Sequence, residues 1–256
     1  MKISSARFVL GFALVCMVVP VHAQQSVTTA TLAGQVEDSS GAMIAGAGVV
    51  VRHTETNQTV MTSTDRDGHF RLPYLAVGPY EVTASKEAFA AAKRTVTLTV
   101  GAAYELTLTL SVAVAQMQVN VNAEGPVIES ARTQVAGTIV QQEAAALPLN
   151  GRNFLDLALV LPGVSPTNTG SNQLFAETSA VPGQGISVGS QRNFSNNFVV
   201  DGLSANDDAA GLSGVFYGFD AIHEFQVITS GAQAELGRAL GGYVNVLTKS
   251  GTNSLH

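Results

Sequence analysis

From Thr29 to Val112 apolar and polar residues alternate with a period of two, and that constrains this 256-residue chain more than any other feature. Thr95, Thr97 and Thr99 alternate with Val96, Leu98 and Val100, and Thr107 and Thr109 with Leu106, Leu108 and Leu110. Successive side chains of a strand point to opposite faces, so such segments are strands with one buried and one wet face. Turn signals separate them at Asp38-Ser39-Ser40-Gly41, Glu55-Thr56-Asn57, Asp65-Arg66-Asp67-Gly68 and Gly78-Pro79. Short strands with frequent turns predict a sandwich of two antiparallel sheets.

The alternation then changes phase. Leu106 to Val114 carry the apolar face on even numbers, whereas Met117, Val119 and Val121 carry it on odd numbers. A shift of one residue turns every side chain to the other face, so Ala115-Gln116 marks a bulge or a domain break, and we read a boundary. Beyond Glu124-Gly125-Pro126 the character is different. A short helical stretch, residues 141–147, is stopped by Pro148. Asn153 is placed to cap a helix over residues 154–161 that ends at Pro162-Gly163. Residues 164–189 read as a loop, and residues 197–201, 224–228 and 242–248 as β structure.

The N-terminus reads as a secretory leader. Lys2 and Arg7 precede an apolar run over residues 8–21, and Val21-His22-Ala23 offers a cleavage site before Gln24. The run is shorter than the ~20 residues a spanning helix needs, and Pro20 interrupts it. Cleavage removes Cys16, the sole cysteine, so the mature chain is expected to have no disulfide. Only 12% of residues are charged and the net charge is -6, with no cluster of Lys and Arg. Nucleic acid is therefore not an expected partner, because a phosphate-binding surface needs such clusters.

No catalytic, cofactor or metal residues are assigned. Gly185-Ile186-Ser187-Val188-Gly189 matches the nucleophile-elbow string, and Asp201 and His223 follow it in order, but no helix signal follows the serine as that motif requires. His223-Glu224 begins like a zinc-protease helix, yet Val227 stands where the second histidine would be. His53 and His69 have no third ligand in sight. Asp65-Arg66-Asp67-Gly68 reads as a tight turn rather than a calcium loop, because Tyr74 stands where an EF-hand has its bidentate glutamate.

Two resemblances add to this reading. Gly34-Gln35-Val36-Glu37-Asp38, Gly46-Ala47, Thr64-Asp65-Arg66-Asp67-Gly68-His69-Phe70 and Gly78-Pro79-Tyr80-Glu81-Val82 together resemble a carboxypeptidase regulatory-like domain. The likeness implies a non-catalytic all-β sandwich of the transthyretin/immunoglobulin-like kind, with Ala45 where the family usually has proline and Ala88 where it often has glycine. Phe154-Leu155-Asp156-Leu157 through Leu161-Pro162-Gly163-Val164 resembles part of the plug of TonB-dependent outer-membrane receptors. So do Ile186-Ser187-Val188-Gly189 with Phe198-Val199-Val200-Asp201-Gly202, taken as a central strand pair, and Ala221-Ile222-His223-Glu224-Phe225-Gln226-Val227, taken as a helix-strand unit. Leu236-Gly237-Arg238, Gly241-Gly242 and Val244-Asn245-Val246-Leu247-Thr248-Lys249-Ser250-Gly251 resemble its ending. Leu147-Pro148-Leu149-Asn150-Gly151-Arg152-Asn153-Phe154 after a sandwich is most similar to the Oar-like branch.

The expected organisation is a signal peptide (1–23), a sandwich (27–114), a linker or extended coupling segment (115–125), and an α+β plug with a small mixed sheet (126–254). The resemblance implies an exported protein in the periplasm or outer membrane of a Gram-negative bacterium. Its implied partners are a TonB-like energy-coupling protein, a transmembrane β-barrel absent from these 256 residues, and an unidentified solute. The chain reads as a fragment, a split gene product or a plug acting with a partner. A different class of function, a free-standing periplasmic module contacting protein or glycan, stays open. Arg238 is the candidate plug-barrel contact; with Glu235 one helical turn away, it is either a surface pair or a buried ion pair with a barrel wall. The candidate coupling segment is Gln116, Met117, Gln118, Val119, Asn120, Val121 and Asn122, which reads equally as an edge strand of the sandwich.

Overall fold

A computed structural model describes residues 28–112, 134–146, 154–167, 185–207, 211–214, 218–232 and 236–253. The leader, the 115–125 segment with the whole candidate coupling stretch, Asn153 and Glu235 lie outside the described residues.

Seven strands form the N-terminal body: β1 (Thr29–Asp38), β2 (Gly48–His53), β3 (Thr59–Ser63), β4 (His69–Ala76), β5 (Gly78–Ser85), β6 (Ala92–Leu98) and β7 (Ala103–Leu110). They make a three-stranded sheet in the order β4-β1-β7 and a four-stranded sheet in the order β3-β2-β5-β6. The alternation in the sequence becomes the inner faces. Leu32 and Val36 of β1, Val49 and Val51 of β2, Val82 of β5, Leu98 of β6 and Leu106, Leu108 and Leu110 of β7 are buried in one core. Each such aliphatic side chain contributes about 1.5–3 kcal/mol relative to exposure.

One pairing departs from the antiparallel expectation: β7 lies parallel to β1, Thr31 opposite Ala103 through Asp38 opposite Leu110. The cause is the turn after β6. It carries the chain from the edge of one sheet to the other, and β7 is laid alongside β1 in β1's own direction. Gly101 takes φ +66° in this turn, a left-handed conformation that glycine adopts without a steric penalty.

The predicted turn at Asp65 closes on its own side chain, whose Oδ1 accepts the amides of Asp67 and His69, each at 2.9 Å. The buried His53 organises the β2–β3 turn. Its Nδ1 accepts the amides of Glu55 (3.2 Å) and Thr56 (3.3 Å), so Nε2 carries the hydrogen and donates to Val77 O at 3.1 Å.

The C-terminal body contains β8 (Val135–Val140), α1 (Gln141–Ala146), β9 (Val164–Pro166), β10 (Ile186–Val188), β11 (Asn197–Val200), β12 (Leu203–Ser204), β13 (Asn206–Asp207), β14 (Leu212–Ser213), β15 (Ile222–Ser230) and β16 (Tyr243–Thr248). Its main sheet has the order β12-β11-β16-β15-β8 and is mixed, β11 and β16 being parallel and the other pairs antiparallel. Phe198, Val200, Phe225, Val227, Val244 and Val246 fill one face, packed with Phe154, Leu155, Leu157 and Ala158.

The helix expected over residues 154–161 is present as a 3-10 helix, Phe154–Val160, while two other expectations need correction. At three residues per turn Phe154 stacks over Leu157 and Leu155 over Ala158, which brings all four into the core. The stretch read as a loop from residue 164 begins and ends in strands, β9 and β10, which pair with each other, Val188 opposite Val164. Consequently β10 is not the partner of β11, and the supposed central strand pair belongs to two separate sheets. Asn196 links them instead: its Nδ2 donates to Ile186 O at 2.7 Å and its Oδ1 accepts the Gly242 amide at 3.2 Å.

Candidate functional site

The second face of the mixed sheet supplies the site. Because side chains alternate on β15, Phe225 and Val227 enter the apolar core and Glu224 and Gln226 point the other way. On most surface sheets that face is wet. Here Glu224 is 3% exposed and Gln226 1% exposed, because the sandwich covers them.

What they meet is the sandwich's main chain. Glu224 Oε2 accepts the Val100 amide at 2.7 Å, and Gln226 Nε2 donates to Val100 O at 2.8 Å and to Thr138 Oγ1 at 3.1 Å. Both polar groups of one peptide residue are thus satisfied by two side chains more than 120 positions along the chain. Val100 is itself buried, in neither hydrophobic core. Burial raises the Glu224 carboxyl to about 7, the Val100 amide offsetting this only in part. A second attachment lies nearby: Asn253 donates from its amide to Glu55 O at 3.2 Å and from Nδ2 to Thr56 O at 2.9 Å.

Beside the second attachment lies a cleft of about 750 Å³ lined by His53, Glu55, Asp201, His223, Thr248 and Lys249, among others. Burial holds the His223 imidazole below its ordinary value, so the ring is neutral in neutral solution. Asp201 sits at φ +49° ahead of Gly202 at φ +83°, in the turn that joins β11 to β12. Its Oδ1 accepts the Thr248 amide at 2.9 Å and its Oδ2 the Thr248 hydroxyl at 2.7 Å. The carboxylate is thereby engaged in holding the turn to β16.

Ser187 lies on β10 and is not among the residues lining this cleft, although Asp201 and His223 are. The serine is followed by a three-residue 3-10 turn, Asn193–Ser195, rather than by the helix an elbow needs. Among the described residues no group of three or more His, Cys, Asp or Glu is placed to hold a metal ion. Arg238 is exposed with φ +69°, in an irregular segment, and Glu235 lies outside the described residues. The sequence analysis missed Glu224 and Gln226 as a pair. Two buried-strand polar residues at i and i+2 were the available signal.

Within this architecture, a two-sheet β-sandwich docked on a mixed sheet, residues 31–111 match the carboxypeptidase regulatory-like domain family. The chain is 30% identical over 242 residues to the TonB-dependent transporter Oar of Myxococcus xanthus, a match that covers 89% of this chain and 21% of the transporter. The chain therefore spans about a fifth of the length of that curated relative.

Solved structures overlap mainly at low similarity. A putative carbohydrate binding protein from Pseudomonas aeruginosa is 15% identical, with 34% of this chain and 92% of that chain covered and a TM-score of 0.27. Chlorocatechol 1,2-dioxygenase from Pseudomonas putida is 12% identical, with 33% and 60% covered and a TM-score of 0.26. Overlaps this small carry no argument about function.

Among the described residues no helix is long and apolar enough to cross a membrane, which says nothing of a β-barrel.

Proposed function

We propose that this chain is the sandwich and plug region of a TonB-dependent outer-membrane receptor, with residues 126–254 as the plug and an energy-coupled uptake of solute as its task. The observation that carries the reading is continuity. A single alignment at 30% identity runs over 242 residues, through the sandwich and the mixed sheet alike, so the relationship is not confined to a widely shared accessory domain. The five-stranded mixed sheet with its short flanking helices fits the α+β plug expected from the sequence. In this reading a barrel surrounds the plug, Arg238 faces its wall, and Gln116 to Asn122 is the segment that a TonB-like coupling protein captures by adding it to its own sheet.

Strand addition takes its affinity from main-chain hydrogen bonds. Val119→Pro removes one donor and fixes φ, which a paired strand tolerates poorly. The mature chain is expected to be captured by the coupling protein's periplasmic C-terminal domain in a pull-down. Val119→Pro should abolish capture and leave the sandwich's melting temperature unchanged. Retained capture with a destabilised sandwich would place the segment in the fold, and no capture of the unsubstituted chain would overturn the receptor reading.

The same reading makes the chain a non-enzyme. Ser187 is nearly buried on a short paired strand, and the Asp201 carboxylate is committed to Thr248. A fluorophosphonate probe is expected to leave the protein unlabelled; specific labelling at Ser187 would reverse this.

A further inference from the structure

We propose that Glu224 and Gln226 form a backbone-reading latch by which the mixed sheet reversibly docks the sandwich at Val100. The latch stands on its own geometry and does not depend on the receptor reading. Residues at i and i+2 share one face of a strand, so the two side chains are presented side by side. One accepts from the Val100 N–H and the other donates to the Val100 carbonyl, the exchange a neighbouring β-strand would make. Such a contact reads main-chain geometry, and the left-handed turn at Gly101 presents it: a Cβ added at Gly101 would lie 3.6 Å from both Gln134 Oε1 and Gln226 Oε1. If the sandwich lifts away, Val100, Glu224 and Gln226 all regain water, so nothing polar is stranded by opening. That distinguishes a dock from a core.

The dock is linked to protons. A cavity of about 270 Å³ beside Glu224 is lined by Glu55 of the β2–β3 turn, by Pro79 and Thr97 of the sandwich, by the neutral Gln141 and Gln142 of α1, and by His223 of β15 itself. Lys249 and His53 act on His223 from further off. None of the ion pairs among the described residues involves Glu224. Undocked, the carboxyl has its ordinary value of 4.5; docked, it rises to about 7 because burial penalises the charge. The docked state therefore holds the proton more tightly. Docking is strongest below 4.5, weakens as pH rises through the interval to about 7, and is constant above it. The interval of 2.5 corresponds to a change in the docking equilibrium of at most roughly 300-fold.

Hydrogen exchange of the Val100 amide in the mature chain, corrected for intrinsic rates, measures the opening equilibrium directly. From pH 5 to pH 8 its protection should fall by up to about a hundredfold, within that ceiling, while the Val36 amide in β1 stays level. Glu224→Gln keeps an acceptor for the amide and removes the charge, so its Val100 protection should be flat across the same range. Gln226→Leu combined with Glu224→Ala should strip protection from Val100 at every pH and leave Val36 protected, which also reports that the sandwich is folded. Val100 protection that survives the double substitution, tracks Val36 throughout, or keeps its pH slope in Glu224→Gln would overturn the latch.

Discussion

Replacing Gly34 with alanine is expected to lower the melting temperature of the sandwich by roughly 12–24 °C, from a loss of about 3 kcal/mol in a domain of this size. Gly34 is the inward-facing residue of β1 between Leu32 and Val36, with Phe70 of β4 opposite on one side and Leu106 of the parallel β7 on the other. A Cβ built there would stand 2.0 Å from Leu106 O and 2.8 Å from the Phe70 ring. The ring could swing away, but the carbonyl is main chain and already part of the parallel ladder. Either β7 must part from β1 or the strand must bulge, and both cost hydrogen bonds and core contacts. Thermal melting of the mature chain, followed by near-UV circular dichroism at the tyrosines, checks it. Gly48→Ala in β2 is the control, since a Cβ there meets Ser85 at an ordinary 3.6 Å and should shift melting by only a few degrees. A Gly34→Ala protein that melts like the unsubstituted chain would mean that the β1–β7 pairing is wrong.

The sandwich was legible because its signal is local. Alternation over five to eight residues names the inner face of a strand, and turn residues name its ends. Thr95 to Val100 and Leu106 to Leu110 are oriented in the structure as their pattern reads. Pairing is not local, which is why the parallel β1–β7 ladder was not foreseen: nothing in either strand records which neighbour it will have. In the C-terminal body the sequence signal is weaker for a physical reason. β15 and β16 are covered on both faces, so Phe225 and Val227 on one side and Glu224, Gln226 and Asn245 on the other are all buried. A strand of that kind shows no wet face to alternate with. β8, at the edge of this sheet, has no apolar rhythm at all in Val135–Val140 and went unread.

The site was hidden for a related reason. A polar residue inside a strand is read as solvent-facing by default, and Glu224 next to His223 drew the eye toward metal chemistry. The roles of Glu224 and Gln226 appear only when a turn 124 residues earlier in the chain is laid against them. By contrast Asp201-Gly202 and Gly241-Gly242 were visible as motifs, and the structure supplies their cause. The first pair takes positive φ in a tight turn tied to Thr248, and at the second a Cβ on Gly242 would lie 2.5 Å from Val188.

Phe225→Ala should cost the mixed sheet about 3–5 kcal/mol, the range for emptying a fully buried phenylalanine site. The ring is wholly buried in the middle of β15 and meets Phe154 edge-on, with centroids 6.2 Å apart and planes at 66°. Its loss leaves a void between the sheet and the 3-10 helix that neither can close, since both flanking strands, β8 and β16, are fixed by the ladder. Amide exchange resolved along the chain separates local from general damage. Protection should fall together in β8, β15 and β16 and hold in β2 and β5 of the sandwich. Because aromatic pairs couple by about 0.5–1.5 kcal/mol, Phe154→Ala added to Phe225→Ala should cost less than the sum of the two alone. Val100 gives the discriminating readout. By sequence it belongs to the sandwich, but its amide is bonded to Glu224 on β15. In Phe225→Ala it should lose protection with the mixed sheet and not with β2. Protection of Val100 that follows β2 would show that the sandwich, rather than the sheet it docks on, keeps that amide from water.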